Sequence, residues 1–182
     1  MDLATSEALN RFLAGVEVRA YRMAEFSIGD ADEALDLVQD AMLGFVKRYA
    51  AKPEAEWNAI FYRILQNRIT DWYRRTAVRN RFRAWFANSD EGDDKEDPIQ
   101  TIADTNSPDP ATSLYHSDAV AAMKTAISSL PLRQRQAFML RAWEGMDVAQ
   151  TAFAMGCSEG SVKTHYSRAV HTLRGLLEEF KP

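Results

Sequence analysis

Residues 144–177 constrain the fold more than any other stretch, because they predict a short helix, a glycine turn and a second capped helix. Asp147 is a good N-cap, and Gln150 three residues later completes a capping box. Gly156 can supply the left-handed conformation that ends the first helix, and Ser158 caps the second. Two helices joined by a glycine-containing turn of about three or four residues form a helix-turn-helix.

The second of these helices has two contrasting faces. Its apolar stripe, at helical spacing, predicts a buried face and comprises Val162, Tyr166, Ala169, Val170, Leu173, Leu176 and Leu177. The opposite face carries hydroxyl, imidazole and cationic groups, supplied by Ser161, Lys163, Thr164, His165 and Arg168. Such groups reach base edges and phosphates from a major groove, so the helix is predicted to read DNA. An ordinary solvated helix face is the alternative.

The net charge of −4 over 182 residues is unfavourable for nucleic-acid binding, but the charge is unevenly distributed along the chain. Residues 57–86 hold 1 acidic and 7 basic residues, whereas residues 87–118 hold 9 acidic residues and 1 basic residue. Surface charges are screened beyond about 8 Å at physiological salt, so each block acts locally. The acidic balance therefore does not exclude a DNA-binding protein.

Several classes of protein are not expected. No apolar run approaches the roughly 20 residues of a membrane span, and the N-terminus lacks a signal-peptide pattern, which predicts a cytoplasmic protein. The single cysteine, Cys157, permits no internal disulfide. The three histidines are scattered without zinc-ligand spacing, and no glycine loop suits a phosphate. We expect neither an enzyme nor a bound cofactor or metal.

The amino-terminal part predicts helices over residues 5–28, from Asp30 or Asp32 to Tyr49, and from Trp57 to Arg75 or as far as Phe86. In the second helix the predicted buried stripe comprises Ala31, Leu35, Val38, Met42, Phe45, Val46 and Tyr49. Leu37 falls outside that stripe, beside acidic residues, and is predicted to be an exposed interface residue. The alternative is a scattered apolar residue of no consequence.

The third helix interleaves arginines with aromatic residues. Tyr62, Trp72 and Tyr73 alternate with cations that begin at Arg63. Arginine with aromatics binds single-stranded DNA by phosphate attraction and base stacking. Burial of the same aromatics in a core is the competing interpretation.

Residues 87–113 are acidic and proline-containing, which predicts a flexible linker between two helical domains, 1–86 and 114–182. The second domain is predicted to begin with a helix over 112–129, and Pro131 should lie in the first turn of a helix that runs to Trp143. Arginines on that helix, including Arg133 and Arg135, could contact DNA phosphates.

Three motifs, in this order, resemble those of a bacterial extracytoplasmic-function sigma factor: residues 30–43, residues 57–75, and residues 130–141 with the helix-turn-helix. The resemblance implies an all-α protein of two domains that binds core RNA polymerase. Its first domain would recognise and open the minus-ten promoter element, and its second would read the minus-thirty-five element.

The resemblance also assigns individual residues. Those expected to bind the β′ clamp helices of polymerase are Asp36, Leu37, Gln39, Asp40 and Leu43. Those expected to face minus-ten DNA are Tyr62, Asn67, Arg68, Asp71, Arg74 and Arg75, with the loop at 50–56 holding a flipped-out base. Those expected at the minus-thirty-five element are Arg133, Arg135, Ser161, Lys163, Thr164, His165, Ser167 and Arg168. The polymerase β flap and an anti-sigma protein are further candidate partners.

The sequence departs from the family at two places. Gln150-Thr151-Ala152 stands where Glu-Ile-Ala is usual, and His165 stands where a basic residue is usual. A helix-turn-helix regulator that binds duplex DNA without polymerase is the alternative function, and it would need a ligand pocket or a dimer face.

Overall fold

The computed structural model describes the backbone of residues 3–87 and 116–178, and the side chains of residues 5–79 and 121–178. Within these ranges every regular element is a helix, which confirms the all-α prediction. Residues 88–113 of the predicted linker lie outside the described residues. The helices are α1 (Leu3–Ile28), α2 (Ala31–Tyr49), α3 (Glu54–Ala87), α4 (His116–Ser128), α5 (Leu132–Phe138), α6 (Val148–Met155) and α7 (Glu159–Leu176).

Local signals set the ends of the amino-terminal helices. Gly29 ends α1 with a φ of 73°, which a residue without a Cβ adopts readily. The Asp30 carboxylate then caps α2 by accepting from the backbone N–H groups of Asp32 and Glu33, each at 3.0 Å. α3 begins at Glu54, directly after Pro53 and three residues before the predicted Trp57. The loop between α2 and α3 is therefore shorter than expected.

An aromatic cluster holds α1, α2 and α3 together. The ring of Phe12 lies 5.4 Å from that of Phe45, 5.5 Å from that of Trp57 and 6.0 Å from that of Phe61. The tilted and edge-on arrangements are those that aromatic quadrupoles favour. The Trp57 indole N–H donates to the Lys52 carbonyl at 2.7 Å, so the cluster also fixes the loop that leads into α3.

The buried face of α2 differs from the prediction. Leu37 is 5% exposed, whereas Leu35, predicted to be buried, is 44% exposed. The buried residues of the helix are Ala34, Leu37, Val38, Ala41 and Phe45. Because α2 packs against both α1 and α3, its buried face is wider than a single stripe and includes Ala34, Leu37 and Ala41. The prediction of an exposed Leu37 is wrong.

The carboxyl-terminal helices contribute to the hydrophobic core through residues that include Ile127, Leu140, Val162 and Leu173. α5 continues through a π-helical turn, Met139–Trp143, in which Glu144 N–H donates to the Met139 carbonyl at 3.1 Å. Pro131 is the N-cap of α5 rather than part of its first turn. π-Turns are rare and often mark functional positions, and this one brings Trp143 and Glu144 against α1.

The helix-turn-helix forms as the sequence predicts. The Asp147 carboxylate accepts from Gln150 N–H at 2.7 Å, and the Gln150 side chain accepts from Asp147 N–H at 3.1 Å. Gly156 has φ 63° and ψ 41°, and Ser158 Oγ accepts from Ser161 N–H at 3.1 Å. One position of the predicted stripe is wrong: Leu176 is 51% exposed, because it lies at the end of α7 beyond the other helices.

The two sets of helices pack against each other, α3 against α6 and α1 against α4. Among the described helices, none is both long and apolar enough to cross a bilayer.

Candidate nucleic-acid interface

The helix-turn-helix presents α7 with its cationic side chains in solvent. Lys163, Thr164, Ser167 and Arg168 are exposed, whereas Ser161 and His165 are half-buried. Neither Lys163 nor Arg168 forms an ion pair with a described residue, so both charges remain available to phosphate or base acceptors.

Two hydroxyls of this face, those of Ser161 and Thr164, are already hydrogen-bonded locally. Ser161 Oγ lies 2.9 Å from Ser158 Oγ, and Thr164 Oγ1 donates to the Gly160 carbonyl at 3.0 Å. Each hydroxyl oxygen retains lone pairs for another donor. The face therefore offers two free cations together with hydroxyls that are held in place.

Arg133 braces the turn rather than pointing away from it. Its Nη1 donates to the Met155 carbonyl at 2.9 Å and to Gln136 Oε1 at 3.3 Å, which satisfies a carbonyl at the end of α6. Burial lowers the pKa of His165, and the charges of Arg133 and Arg168 lower it further. His165 is therefore neutral at physiological pH, which gives it one N–H donor and one acceptor.

Arg135 does not lie on the DNA-facing surface. It is 1% exposed, and Nη1 and Nη2 donate to atoms of α1, α3 and the end of α4, including the Tyr73 hydroxyl at 2.9 Å. Arg135 cannot reach a phosphate in this arrangement, because its guanidinium is buried where the two sets of helices meet. This arrangement contradicts the predicted contact of Arg135 with a DNA phosphate.

Tyr62 is also buried, with 0% exposure, where α3 meets the π-turn. Burial raises the pKa of its hydroxyl, and the neighbouring charge of Glu144 raises it further. Neither the Tyr62 hydroxyl nor Glu144 Oε1 meets hydrogen-bond geometry with a described group. Tyr62 cannot stack on a base in this arrangement, and its burial confirms the core interpretation.

The rest of the predicted minus-ten set lies together on the exposed side of α3 and comprises Asn67, Arg68, Asp71, Arg74 and Arg75. Arg68 lies 3.8 Å from Asp40 of α2, and Arg74 lies 3.4 Å from Asp71. Both ion pairs are exposed to solvent and contribute little to stability, so either arginine can exchange its carboxylate partner for a phosphate.

A cleft of about 760 Å³ opens at one end of the amino-terminal helices. It lies between the start of α1 and the loop at 50–53, and its walls include Thr5, Trp57 and the cations Lys47, Arg48 and Lys52. The cations can attract a phosphate, whereas the Trp57 ring is 3% exposed and packs against Phe12 and Phe45. The loop was predicted to hold a flipped-out base.

An exposed face of α2 combines acidic and apolar side chains. Asp36, Gln39 and Asp40 are exposed, and Leu43 is 57% exposed. Leu35 was missed as a member of this face, although its spacing from Gln39 and Leu43, i, i+4 and i+8, places the three on one side of the helix. Among the described residues, no cluster of His, Cys, Asp or Glu could hold a metal.

Two protein-family models match this chain. The model for Sigma-70 region 2 matches residues 10–79, and the model for Sigma-70 region 4 matches residues 121–173. The first range covers most of α1 to α3, and the second covers most of α4 to α7.

Individual proteins match over most of the chain. The RNA polymerase sigma-E factor of Streptomyces antibioticus is 32% identical over 152 residues, 83% of this chain and 74% of the relative. The ECF RNA polymerase sigma factor SigF of Caulobacter vibrioides is 28% identical over 162 residues, 88% of this chain and 79% of the relative.

A solved structure shares the fold. It is the sigma factor RpoE of Bartonella quintana in complex with the anti-sigma factor NepR. The two chains superpose with a TM-score of 0.60 at 24% identity, over 92% of this chain and 97% of the other.

Proposed function

This chain belongs to the extracytoplasmic-function sigma factors of bacterial RNA polymerase, and from that membership we propose a separate task for each of its exposed surfaces. As a sigma factor it directs core RNA polymerase in DNA-templated transcription initiation. The proposal assigns polymerase binding to α2, the minus-ten element to α3 with the adjacent cleft, and the minus-thirty-five element to α7.

The α2 face docks on the β′ clamp helices of core polymerase. Leu35 and Leu43 provide exposed apolar area, while Asp36, Gln39 and Asp40 provide acceptors beside it. An apolar centre with a polar rim is typical of a protein-protein interface. Leu37 contributes indirectly, because its burial under this face fixes the position of the helix.

The exposed cations of α3 attract the phosphates beside the melted minus-ten strand, and the cleft beside Trp57 receives an unpaired base. Arg68, Arg74 and Arg75 are exposed on the side of α3 that bears Asn67 and Asp71. Attraction of this kind falls steeply with salt.

The α7 helix enters the major groove of the minus-thirty-five element. Lys163, Thr164, Ser167 and Arg168 are its exposed polar residues, and Ser161 and His165 stand beside them. Arg168 is the best candidate for base readout, because arginine binds guanine through two hydrogen bonds.

Two further partners belong to the proposal. An apolar groove of about 250 Å³, lined by residues that include Met123, Phe138 and Leu173, suits the polymerase β flap. The anti-sigma factor in the Bartonella quintana complex supports a similar partner for this chain. We place the protein in the cytoplasm, where polymerase and chromosome meet.

The observation that carries the proposal is the exposed apolar area of α2 among acceptors, which suits a protein-protein interface. Leu43→Asp should weaken binding to core polymerase about ten-fold or more, as expected for an interface residue that contributes above about 1 kcal/mol. Val18→Asp is the matched control, because Val18 is 67% exposed on α1. Titration of labelled chain with core enzyme measures both. Equal affinity of the two variants would show that α2 does not dock there.

A further inference from the structure

Tyr166 of α7 contacts two side chains of the helical segment that precedes the helix-turn-helix. Its ring stacks on that of Phe138, with 6.4 Å between the centroids and 17° between the planes. The guanidinium carbon of Arg141 lies 5.8 Å from the centroid of the Tyr166 ring. Aromatic rings attract one another when stacked with an offset, and a cation over the face of a ring is attracted to it. Tyr166 therefore ties α7 to both the end of α5 and the π-helical turn.

Arg141 also contacts the start of α6. It lies in the π-helical turn Met139–Trp143, and its Nη1 donates to the Met146 carbonyl. Met146 is 2% exposed and directly precedes Asp147, the N-cap of α6. A single half-buried guanidinium thus contacts both helices of the helix-turn-helix, whose mutual orientation defines the motif.

The backbone around Arg141 forms a widened turn. Glu144 N–H donates to the Met139 carbonyl at 3.1 Å, and Met146 N–H donates to the Leu140 carbonyl at 3.0 Å. Residues of an α-helix pair at a separation of four, so this turn accommodates extra residues. Arg141 therefore closes, with its side chain, a turn whose own backbone bonds end at Met146.

The contacts of Arg141 depend on the shape of its guanidinium as well as on its charge. Within the part of the chain that the structure describes, Arg141 forms no ion pair, and its partners are a carbonyl and a ring. A planar guanidinium can donate in its plane and stack on a ring, whereas the ammonium of lysine is a compact point charge. Lysine at this position would keep the charge and lose the stacked contact.

The side chains proposed to read DNA lie on both sides of Tyr166 in the chain. Lys163 precedes it by three positions, and Ser167 and Arg168 follow directly. A hydrogen bond to a base edge needs a donor-to-acceptor distance of about 2.7 to 3.2 Å and weakens steeply as its angle falls below about 120°. Because the residues of one helix move together, a small tilt of α7 at Tyr166 would displace several of these contacts at once.

We propose that Arg141 is a positioning residue for promoter recognition. Through the Tyr166 ring and the Met146 carbonyl it fixes the angle between α6 and α7, and thereby the bases that α7 reaches in the major groove of the minus-thirty-five element. Arg141 itself does not contact DNA. This role rests on the proposed assignment of α7 to DNA reading, and it adds a residue that determines sequence preference from behind the reading face.

The test uses holoenzyme assembled with the full chain and a promoter library randomised at the minus-thirty-five element. Sequencing of bound and unbound DNA gives the discrimination at each base pair. The variants are Arg141→Met and Arg141→Lys, and Tyr166→Leu and Tyr166→Phe. The matched control is Arg22→Met, which removes a guanidinium that lies 6.0 Å from the Tyr21 ring on α1.

Arg141→Met, Arg141→Lys and Tyr166→Leu should each lower discrimination about five-fold or more at two or more neighbouring base pairs, because a displaced helix misplaces several base contacts. Tyr166→Phe keeps the ring and should retain the discrimination of the wild type, as should Arg22→Met. The double variant of Arg141→Met with Tyr166→Leu should lose little more than either single variant, because both remove the same contact.

Wild-type discrimination in Arg141→Lys, with equal weakening of all sequences and a shallower salt dependence in Arg141→Met, would overturn the positioning role, because Arg141 would then contact phosphate directly. Unchanged discrimination in both Arg141 variants would overturn it as well, because the contact would then support the fold alone. Circular dichroism checks folding, and Arg141→Lys carries the test if Arg141→Met unfolds.

Failure of the α7 assignment has a different signature. Sequence preference at the minus-thirty-five element that survives Lys163→Ala and Arg168→Ala unchanged would show that α7 does not read the DNA, and the positioning role would fall with it. Altered preference in those two variants, with normal preference in every Arg141 variant, would leave the α7 assignment intact and overturn only the role of Arg141.

Discussion

The guanidinium carbon of Arg63 lies 4.6 Å from the ring centroid of Phe153, while Nη1 of the same arginine donates to the Phe153 carbonyl at 3.1 Å. The two residues are 90 positions apart in the chain, and Phe153 is 44% exposed. Arg63, on the surface of α3, therefore contacts both the Phe153 side chain and the backbone of α6.

A double-mutant cycle between Arg63→Ala and Phe153→Leu should give a coupling free energy of about 0.5 to 1 kcal/mol, the range of exposed cation–π pairs. Leucine keeps the carbonyl acceptor, so the cycle isolates the ring. Urea unfolding of the four proteins measures it. Additive effects of the two substitutions would mean that the ring contributes nothing to the contact.

Two leucines of α2 should respond differently to truncation. Leu37→Ala leaves a cavity between α2 and its neighbours and should cost about 2 to 5 kcal/mol of unfolding free energy. Leu35→Ala removes an exposed side chain and should stay within about 0.5 kcal/mol. Urea unfolding followed by circular dichroism compares them, and equal losses would contradict the burial of Leu37.

The features that the sequence predicted best are those set by neighbouring residues. Asp147, Gln150, Gly156 and Ser158 act within three or four positions of themselves, and each takes its predicted role in the helix-turn-helix. Caps and left-handed turns depend on local backbone geometry, so the residue type and its spacing are enough to identify them.

The failures arise from packing between distant segments. The apolar periodicity identified the helix α2, but it predicted that Leu35 is buried and Leu37 exposed. The buried face of α2 includes two alanines, which carry little weight in an apolar pattern. Arg135 looked like a phosphate ligand, yet its acceptors lie in α1, α3 and α4. No local signal in the sequence brings those acceptors together.

Two carboxylates between α1 and the carboxyl-terminal helices, those of Glu144 and Glu25, should respond to pH in opposite ways. Burial raises the pKa of Glu144, and Tyr62 and Arg19 offset this only in part. Burial also acts to raise the pKa of Glu25, but the hydrogen bonds and charges of Lys124 and Arg22 outweigh it, so that pKa is lowered.

The sign of each contribution follows from proton linkage. The contribution of Glu144 is complete below its ordinary pKa of 4.5 and declines as the pH rises through its folded value, because the folded chain binds the extra proton. The contribution of Glu25 is complete above 4.5 and is lost as the pH falls through its folded value.

In the wild type, protonation of Glu144 should make the unfolding free energy fall as the pH rises above 4.5, and Glu144→Gln should remove that fall. Glu25→Gln should instead destabilise the chain above pH 4.5 and have little effect in stronger acid. Urea unfolding across a pH series measures both, with Glu7→Gln on the exposed side of α1 as the control. If Glu144→Gln and Glu25→Gln changed the unfolding free energy in the same way across the pH series, the opposite pH responses would be contradicted.

Substitutions of Arg168 on α7 and of Arg133 on α5 should have different effects. Arg168 is exposed on α7, so Arg168→Ala should cost about 1 to 3 kcal/mol of discrimination at one base pair, or weaken all sequences alike if it contacts phosphate. Arg133 instead donates to the Met155 carbonyl at 2.9 Å, so Arg133→Ala should lower the melting temperature and leave sequence preference unchanged. Binding of the holoenzyme to promoters varied at the minus-thirty-five element measures preference, and thermal unfolding of the free chain measures stability. A changed preference in Arg133→Ala, with normal melting and an inert Arg168→Ala, would move DNA reading from α7 to α5.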